Sequence, residues 1–296
     1  MLSKLSAVCE VDLHEGPTLP PEELERRVAG KAGLVCVLTD RITPDVLSAG
    51  SDLRVVSNIA VGYDNIDVAA AVERGIAVTN TPDVLTEATA ELTWALILAA
   101  ARRLGEGERL VRRGGWKGWA LDFMLGTELR GKQLGIVGRG RIGRAVAAKA
   151  PAFGMTVVLG KQDLSIDELL VTSDVISIHT SLRPETRHLI DRRALARMKR
   201  TAILVNTARG PVVDEEALAW ALEERLIAAA ALDVYEREPI VHEALLELEN
   251  VVLAPHLGSA TRETRTAMID LAVSNVLAVV QGQPPLTPVA APGGRA

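Results

Sequence analysis

The amino-acid sequence predicts an α/β fold built from two units, each with a parallel sheet. Short runs rich in β-branched residues alternate with Ala-, Leu- and Glu-rich stretches of helical length, which is the pattern of a parallel sheet covered by helices. The strand runs form two series, joined by a long Ala- and Leu-rich helix. The second series contains six strands and a glycine-rich turn, enough for a complete doubly wound sheet.

The predicted strands of the first series are GLVCVLT, LRVVSNI and IAVTNT. The joining helix, VLTEATAELTWALILAAARR, is expected to end at a polar break, GEGERLVRRGG. The second series contains KQLGIVG, MTVVLG, VISIHT, AILVNTA, AAALDV and VVLAPH. A final helix is predicted over residues 262–281, and the Pro-, Gly- and Ala-rich tail after Gln283 is expected to be a flexible end.

Composition limits the class of protein. The 296 residues are 48% hydrophobic and 24% charged, which is typical of a globular protein with two domains of ordinary size. Lysine and arginine total 33 against 38 aspartate and glutamate, and the basic residues are spread along the chain, so no nucleic-acid partner is expected. No signal peptide or membrane span is expected, and Cys9 and Cys36 are interpreted as reduced thiols. These features predict a soluble, cytoplasmic protein with small-molecule partners.

A glycine-rich turn, GRGRIG, separates the strand LGIV from a helix. Gly138 permits a tight turn, Gly140 allows a pyrophosphate to approach the backbone, and Gly143 allows the helix to pack closely on the strand. The helix start at Arg141 and Ile142 supplies unpaired N–H groups and the positive end of the helix dipole. The strand–turn–helix context predicts a dinucleotide site; the alternative is a tight turn without a ligand.

Polar residues follow three predicted strands of the second series: Arg209, then Asp233 and Glu238, then His256. Open parallel sheets bind ligands at this edge. A histidine exchanges protons near neutral pH, a carboxylate such as Glu238 favours its charged form, and Arg209 offers a planar fork for a carboxylate. Together they suggest hydride transfer to a carbonyl beside a carboxylate. Each residue alone also has an ordinary structural interpretation. His179, at the end of VISIHT, is expected to have a hydrogen-bonded structural role, and a position lining the cleft is the alternative.

A set of motifs extends along the chain: AVGYDNIDV, GIAVTNTPDVLTEATAEL, WKGW, LGIVGRGRIGRAVA, SDVISIHTSLRPETRHLI, ILVNTARGPVVDEEAL, ALDVYEREP and VVLAPHLGSATRETR. Jointly these motifs are highly specific, and over nearly its whole length the chain resembles the D-2-hydroxyacid dehydrogenase family, most closely its glyoxylate/hydroxypyruvate reductase branch. The resemblance implies two Rossmann-like, doubly wound domains: a flavodoxin-like substrate domain and an inserted NAD(P)-binding Rossmann domain.

The resemblance also implies catalytic roles. Arg209 would bind the substrate carboxylate and carbonyl, Glu238 would sustain the proton affinity of His256, and His256 would protonate the carbonyl oxygen as hydride arrives at C2. Asp233 would orient the nicotinamide carboxamide. These roles describe an NAD(P)-dependent oxidoreductase.

Binding residues follow from the same resemblance. The backbone of Val61 and Gly62 would meet the substrate carboxylate. Trp119 would reach the pocket of a neighbouring subunit, although a dimer-interface aromatic is an equally good interpretation. No metal is expected. Positions that match cofactor contacts are Gly138, Gly140, Arg141, Ile142, Gly143, Lys161, Thr207, Ala208, Asp233 and Gly258.

In this family the domains are interleaved. Residues 1–79 and 262–296 would therefore form a discontinuous substrate-binding domain, and residues 80–261 the NAD(P)-binding domain. The active site would lie in a hinged cleft that excludes water on closure. A homodimer is expected, formed through the long helix and the loop after it.

Two segments of the family pattern have no counterpart in this sequence. The first strand of the substrate domain is missing, and a loop, helix and strand are missing between VVLG and DLSIDELL. Because such losses would expose sheet edges and apolar faces, we expect that the sequence omits residues of the full protein. The alternative is a shortened variant with a weakened cofactor site.

Lys161 occupies the position that normally reads the adenosine ribose. An acidic residue there favours NAD, because it accepts the ribose hydroxyl and repels a 2′-phosphate. Lys161, with Gln162 beside it, removes that repulsion and favours NADPH slightly; Asp163 is interpreted as capping or preceding the next helix. Arg139 in the glycine turn points either to solvent or to a phosphate.

The function predicted from these features is NAD(P)H-dependent reduction of a small 2-keto acid, such as glyoxylate or hydroxypyruvate, to the D-2-hydroxy acid. One alternative is a nucleotide-sensing binding protein on the same fold, like the related corepressors. Another is a different family enzyme, such as phosphoglycerate dehydrogenase. The sequence leaves open which 2-keto acid is used and in which direction the reaction runs.

Overall fold

A computed structural model describes residues 2–290 of the chain. The chain divides into two compact units, one formed by Met1–Leu85 with Thr261–Ala296 and the other by Thr86–Ala260. Each unit has a parallel sheet with helices packed against it, so the predicted α/β fold class is confirmed. The assignment of one unit to the substrate and the other to the cofactor stays a prediction.

The strands are β1 Gly33–Cys36, β2 Val55–Asn58, β3 Ala77–Thr79, β4 Gln133–Val137, β5 Thr156–Leu159, β6 Val175–Ile178, β7 Ile203–Asn206, β8 Ala229–Leu232 and β9 Val251–Leu253. The helices are α1 Leu2–Ser6, α2 Pro21–Val28, α3 Pro44–Ala49, α4 Val68–Glu73, α5 Thr86–Ala101, α6 Leu104–Arg112, α7 Arg141–Lys149, α8 Ile166–Thr172, α9 Arg192–Arg197, α10 Glu215–Glu223, α11 Glu243–Glu247 and α12 Arg262–Val280.

The first unit contains a three-stranded parallel sheet in the order β1-β2-β3. The central strand β2 is buried along its whole length. Helices α2, α3 and α4 contribute to the core on one face, whereas α12 packs against the opposite face together with Leu5 of α1. The sheet is therefore covered on both faces.

The C-terminal tail is ordered as far as the edge of this sheet. The Asn275 side chain accepts hydrogen bonds from the backbone N–H groups of Leu286 and Thr287 at 2.9 and 3.0 Å. The N–H of Val289 then donates to the carbonyl of Val78 in β3 at 2.8 Å. The expectation of a flexible end after Gln283 is thus wrong for residues 286–289; residues 291–296 lie outside the described part of the chain.

The second unit contains a six-stranded parallel sheet in the order β5-β4-β6-β7-β8-β9. The chain moves outward to β5 after β4 and then returns to β6 on the other side, so the topological switch point lies at the C-terminal end of β4. Separate apolar cores cover the two faces of the sheet, and α5 and α7 pack on one of them. A switch point of this kind is where doubly wound sheets bind nucleotides.

The polar segment after the joining helix is itself helical. The sequence predicted a break there, but α6 begins three residues after α5 ends, with Arg103 at φ +52° marking the turn. Arg109 and Arg113 pair with Glu249, which tethers α6 to the loop before β9. The break prediction failed because a polar sequence at helical spacing still forms a helix when its charges find partners.

The segment after β5 is a tight turn. The N–H of Lys161 donates to the carbonyl of Leu164 at 2.8 Å, and Asp163 accepts from the N–H of Leu159 at 2.8 Å. Ser165 and Glu168 then form a reciprocal capping box at the start of α8. Asp163 therefore closes the turn, and Ser165 caps the helix. The chain passes directly from β5 to α8 through this turn, and β5 is an edge strand of the six-stranded sheet.

Candidate active site

The structure brings most of the predicted catalytic residues to one edge of the six-stranded sheet. Thr207, Ala208 and Arg209 follow β7, Asp233 follows β8, and His256 lies beyond β9. These three strands are neighbours. The C-terminal ends of parallel strands meet at one edge, which is why residues distant in sequence converge here.

His256 and Glu238 form a hydrogen-bonded pair. Nδ1 of His256 lies 2.8 Å from Oε2 of Glu238, and the two side chains are 28% and 29% exposed. The second carboxylate oxygen, Oε1, accepts from the N–H of Tyr235 at 3.0 Å. His256 has a left-handed φ of +54°, and its N–H donates to the carbonyl of Asp233 at 2.9 Å. The imidazole is therefore fixed by its backbone and by its carboxylate partner.

Glu238 is ionised near neutral pH. Burial by itself raises the pKa of Glu238, but the hydrogen bond and charge of His256, the N–H of Tyr235 and the charge of Arg209 outweigh it, so the pKa lies below its ordinary value. An ionised carboxylate can only accept a hydrogen bond, which assigns the hydrogen of the pair to Nδ1 of His256. Nε2 is then the nitrogen that can exchange a proton with a bound molecule.

Asp233 shapes the loop that carries His256. The side chain is buried, and its two oxygens accept from the N–H groups of Leu257 and Gly258 at 2.6 and 2.8 Å. Burial raises the pKa of Asp233 despite these two hydrogen bonds. Asp233 therefore has a structural role in addition to its predicted contact with the nicotinamide.

Arg209 extends from a backbone segment ordered by Asn206. The buried Asn206 side chain donates to the carbonyl of Arg209 at 2.9 Å and accepts from the N–H of Ala208 at 3.0 Å. The Arg209 guanidinium donates to the carbonyl of Ala208 at 2.8 Å. Sequence reasoning missed Asn206; its signal was an amide side chain at the end of an apolar strand.

Two threonines of α5 hold the predicted cofactor positions and were also missed. Thr93 lies 2.9 Å from Thr207, oxygen to oxygen, and Thr89 donates to the carbonyl of Gly258 at 3.1 Å. Both are buried. Their spacing of four residues places them on one face of α5, and this was the signal in the sequence that could have identified them.

The glycine turn fits a dinucleotide. Gly138 has φ +108°, and a Cβ there would lie 2.4 Å from the carbonyl oxygen of His179. A Cβ on Gly143 would lie 2.1 Å from the carbonyl oxygen of Gly138, whereas a Cβ on Gly140 would meet nothing within 4 Å. Gly140 is also the N-cap of α7 and provides no side-chain cap. The turn is therefore closed on its protein side and open at the helix N-terminus, where a pyrophosphate requires space and N–H donors. Arg141 is exposed and Ile142 is half-buried.

Lys161 lies apart from the catalytic residues. It is exposed at the C-terminal end of β5 with φ +62°. β5 pairs with β4, the strand that leads into the glycine turn, so Lys161 and the turn belong to adjacent strand ends.

Three further residues were predicted to contact the substrate. Trp119 is 81% exposed in the loop after α6. Val61 and Gly62 belong to the first unit, where their carbonyls accept from Asn80 and Asn58 at 2.8 and 2.9 Å. Within residues 2–290 there is no cluster of three His, Cys, Asp or Glu side chains that could hold a metal. In the same span, no helix is both long and apolar enough to cross a membrane.

His179 is half-buried beneath the glycine turn. Its Nε2 lies 2.8 Å from the hydroxyl of Ser177, and its inaccessible Nδ1 has no partner among the described residues. Burial lowers the pKa of His179 to about 3, so the ring is neutral at ordinary pH. The contacts are structural.

A family model of the D-isomer specific 2-hydroxyacid dehydrogenase NAD-binding domain matches residues 94–258, more than half of the chain. This span contains the glycine turn and the edge residues Arg209, Glu238 and His256. The chain belongs to the D-isomer specific 2-hydroxyacid dehydrogenase family. It is an NAD(P)-dependent oxidoreductase.

Similar proteins place this dehydrogenase in the glyoxylate reductase branch. A glyoxylate reductase from Aeropyrum pernix is 51% identical, with 96% of this chain and 90% of the relative aligned. That alignment covers 303 positions although the dehydrogenase has 296 residues, so the relative contains residues without a counterpart here.

Solved structures of similar proteins have the same fold. A protein from Thermus thermophilus is 48% identical with a TM-score of 0.93, covering 98% of this chain and 96% of its own. An NADPH-dependent glyoxylate/hydroxypyruvate reductase from Sinorhizobium meliloti, solved with NADP and malonate, is 36% identical with a TM-score of 0.81, covering 90% of this chain and 86% of its own.

Proposed function

We propose that this dehydrogenase reduces a small 2-keto acid of the glyoxylate or hydroxypyruvate type to the D-2-hydroxy acid, with His256 as the proton donor. The observation that carries the proposal is the 2.8 Å hydrogen bond between Nδ1 of His256 and Glu238, at the strand edge that also holds Arg209. The names of the relatives support the substrate class.

Each residue of the group has a task in this reaction. Glu238 keeps a proton on Nδ1 of His256, so Nε2 of the charged imidazole donates its proton to the carbonyl oxygen of the substrate. Arg209 binds the substrate carboxylate and carbonyl through its planar fork. Asp233 holds the Leu257–Gly258 backbone, which keeps the imidazole in place. The backbone of Val61 and Gly62 contributes N–H donors to the carboxylate.

The cofactor is held by the glycine turn and the neighbouring strand ends. The turn residues Gly138, Gly140 and Gly143 and the start of α7 would hold the pyrophosphate, and Thr207, Ala208, Asp233 and Gly258 would contact the nicotinamide half. A nicotinamide bound there supplies the hydride that reaches C2.

A panel of 2-keto acids assayed with NADH and with NADPH tests this function. We expect turnover of glyoxylate or hydroxypyruvate, followed by the loss of reduced-nicotinamide absorbance, and a product of D configuration on chiral chromatography. Cofactor binding without turnover of any 2-keto acid would contradict the proposal and favour a nucleotide sensor.

We further propose a preference for NADPH, which rests on Lys161. The position that reads the ribose carries Lys161 in place of a carboxylate, and the nearby Asp163 is held in the turn by the N–H of Leu159. The exposed ammonium of Lys161 attracts that phosphate.

The prediction is that Lys161→Glu weakens NADPH binding at least about tenfold and leaves NADH binding nearly unchanged, since a charge reversal acts on the phosphate alone. Equilibrium titration by nicotinamide fluorescence measures both dissociation constants. Gln162→Ala is the matched control and should alter neither strongly. Equal losses for the two cofactors in Lys161→Glu would contradict the assignment.

We also propose a homodimer formed through α6 and the loop after it. Large apolar side chains are exposed along this segment: Leu104, Val111, Trp116, Trp119, Leu121, Phe123 and Leu125. Trp119 and Leu121 are 81% and 83% exposed. Concentrated apolar exposure marks an interaction surface rather than ordinary solvent-facing structure.

A further inference from the structure

The loop between β2 and α4 presents three consecutive backbone donors. In the described part of the chain, the N–H groups of Val61, Gly62 and Tyr63 donate no hydrogen bond. Val61 and Gly62 are half-buried and Tyr63 is exposed. The chain bends at residues 59–61, and successive N–H groups at such a bend can form a concavity that suits an anion.

Two asparagine side chains hold the carbonyls of the same loop. Nδ2 of Asn80 donates to the carbonyl oxygen of Val61 at 2.8 Å, and Nδ2 of Asn58 donates to that of Gly62 at 2.9 Å. Asn58 is fully buried at the end of β2, and Asn80 is half-buried just after β3.

Holding a carbonyl fixes the N–H group of the next residue. In a trans peptide the C=O and the following N–H lie in one plane and point in opposite directions. These peptides are trans, since the one cis bond of the described chain joins Glu238 and Pro239. The N–H of Gly62 therefore points away from Asn80, and the N–H of Tyr63 points away from Asn58.

The asparagines are themselves fixed by further contacts. Asn58 donates to Oδ1 of Asn65 at 2.9 Å, and Asn65 donates to the carbonyls of Val37 and Asp40 at 3.2 and 3.0 Å. These contacts connect the loop to the end of β1.

Asn80 is anchored from the C-terminal tail. Its carbonyl accepts from the hydroxyl of Thr287 at 2.6 Å. The Asn58 amide therefore cannot turn without breaking its hydrogen bond to Asn65, the backbone of Asn80 is held by the tail, and both peptide planes are oriented before any ligand binds.

We propose that Asn58 and Asn80 are positioning residues that aim the N–H groups of Gly62 and Tyr63 at the carboxylate of the substrate. This inference rests on the proposed function, because it takes the anion to be a 2-keto acid. The resemblance assigned the contact to the backbone of Val61 and Gly62; the two asparagines orient the N–H groups of Gly62 and Tyr63, and the N–H of Thr81, which donates to the carbonyl of Ala60 at 2.9 Å, orients that of Val61 in the same way. Donors oriented in advance lose little entropy on binding.

The variants Asn58→Leu and Asn80→Leu test the proposal, because leucine keeps nearly the same shape and adds no charge, but it cannot donate. The carbonyl is then free to turn, and the N–H group with it. We expect the KM for glyoxylate to rise about tenfold in each variant, with kcat within about twofold, since a charge-assisted hydrogen bond is weakened.

An uncharged substrate separates positioning from a general structural effect. The KM for the methyl ester of glyoxylate, which lacks the carboxylate, should stay unchanged in both variants. The matched control is Thr79→Val, which breaks the buried 2.8 Å hydrogen bond between Thr79 and Ser57 next to Asn80 but leaves the loop carbonyls held. It should lower the melting temperature without changing the KM for either substrate.

Equal increases in KM for acid and ester, or an unchanged KM for the acid in a folded variant, would overturn the inference. The dissociation constant of oxalate, measured by calorimetry with oxidised cofactor bound, provides a second readout. We expect it to rise about tenfold in each variant. If the wild-type enzyme reduced no 2-keto acid, the proposed function would fail, and the oxalate measurement would still decide on the role of the two asparagines.

Discussion

His256 has little rotational freedom before any substrate binds. Its left-handed backbone and its hydrogen bond to Glu238 are both set by the strand ends of one sheet. Since Glu238 is held by the N–H of Tyr235 in turn, the nitrogen that donates the proton in the proposed reaction has a fixed direction. Preorganisation of this kind is what general acid catalysis requires.

We predict that His256→Ala lowers kcat by about 100-fold or more, because general acid catalysis contributes that much. Cofactor affinity should be nearly kept, since the glycine turn is untouched. Steady-state kinetics and a fluorescence titration of the cofactor measure the two quantities. A variant with normal kcat would show that another group donates the proton.

His179 makes stability depend on pH. Its pKa is about 3 in the folded chain against an ordinary value of 6.5, so between these values the unfolded chain binds a proton that the folded chain does not. Stability is therefore fully present above about pH 6.5 and is lost as the pH falls below it. From about pH 7 to about pH 5 the loss amounts to up to about 2 kcal/mol.

The variant His179→Gln tests this loss, because glutamine keeps hydrogen-bonding capacity and does not titrate. The free energy of unfolding of the second unit should fall less between these two pH values in the variant than in the wild type. Urea titrations followed by tryptophan fluorescence report on this unit, since all four tryptophans lie in it. Equal losses in both proteins would exclude His179 as the source.

At the scale of elements, Gly138 and Gly140 have different roles in the glycine turn. Gly138 has a backbone conformation reserved for glycine and no space for a Cβ, whereas Gly140 has ordinary dihedral angles and open space beside it. The first glycine is required by the fold, and the second is required only when a ligand approaches.

We predict that Gly140→Ala weakens cofactor binding at least about tenfold and leaves the melting temperature nearly unchanged. Gly138→Ala, its matched partner, should reduce both, with a stability loss of about 1–3 kcal/mol from strain. Cofactor titration and thermal unfolding measure the two effects. A Gly140→Ala protein with normal affinity would show that the pyrophosphate does not approach this residue.

Much of this element pattern follows from the sequence alone. Each predicted strand forms, because a short β-branched run between two turns is the usual sequence of a buried parallel strand. Convergence of Arg209, Asp233 and His256 on one edge follows from the parallel order of β7, β8 and β9. The helix α6 was not predicted, and its ion pairs to Glu249, far away in sequence, form only in the folded chain.

The supporting contacts of the site were equally beyond prediction. Thr89 and Thr93 meet Gly258 and Thr207 only after α5 has packed on the sheet. Likewise, the amides of Asn58 and Asn80 reach loop carbonyls that local propensity does not orient. The type of a residue indicates which hydrogen bonds its side chain can form, but the partners of those hydrogen bonds depend on tertiary packing.

At the scale of the whole molecule, the exposed apolar segment after α5 is the main feature without a partner in the described chain. The proposed homodimer would bury it. Leu121 is 83% exposed there, and Leu246 on α11 provides a comparison at 59% exposed.

We predict that Leu121→Asp shifts the protein from dimer to monomer, because a charge is costly to bury in an apolar interface. Leu246→Asp should leave the assembly unchanged. Light scattering after size-exclusion chromatography measures the mass. A monomeric wild type would contradict the dimer.

Trp119→Ala distinguishes the two interpretations of this tryptophan. A residue that reaches the pocket of a second copy should raise KM without dissociating the dimer, whereas a plain interface aromatic should weaken the dimer first. Kinetics and sedimentation on one preparation separate these outcomes.

The ordered tail has a consequence for how the protein behaves at high concentration. Residue 288 bridges Thr79 in antiparallel fashion and Val289 pairs with Val78, so the outer backbone of β3 is already occupied. An open strand edge is a template for another chain, and prolines interrupt such pairing. The tail, with prolines at positions 284, 285 and 288, thus prevents β3 from pairing with a strand of another molecule. Removal of the tail would expose this edge and promote aggregation.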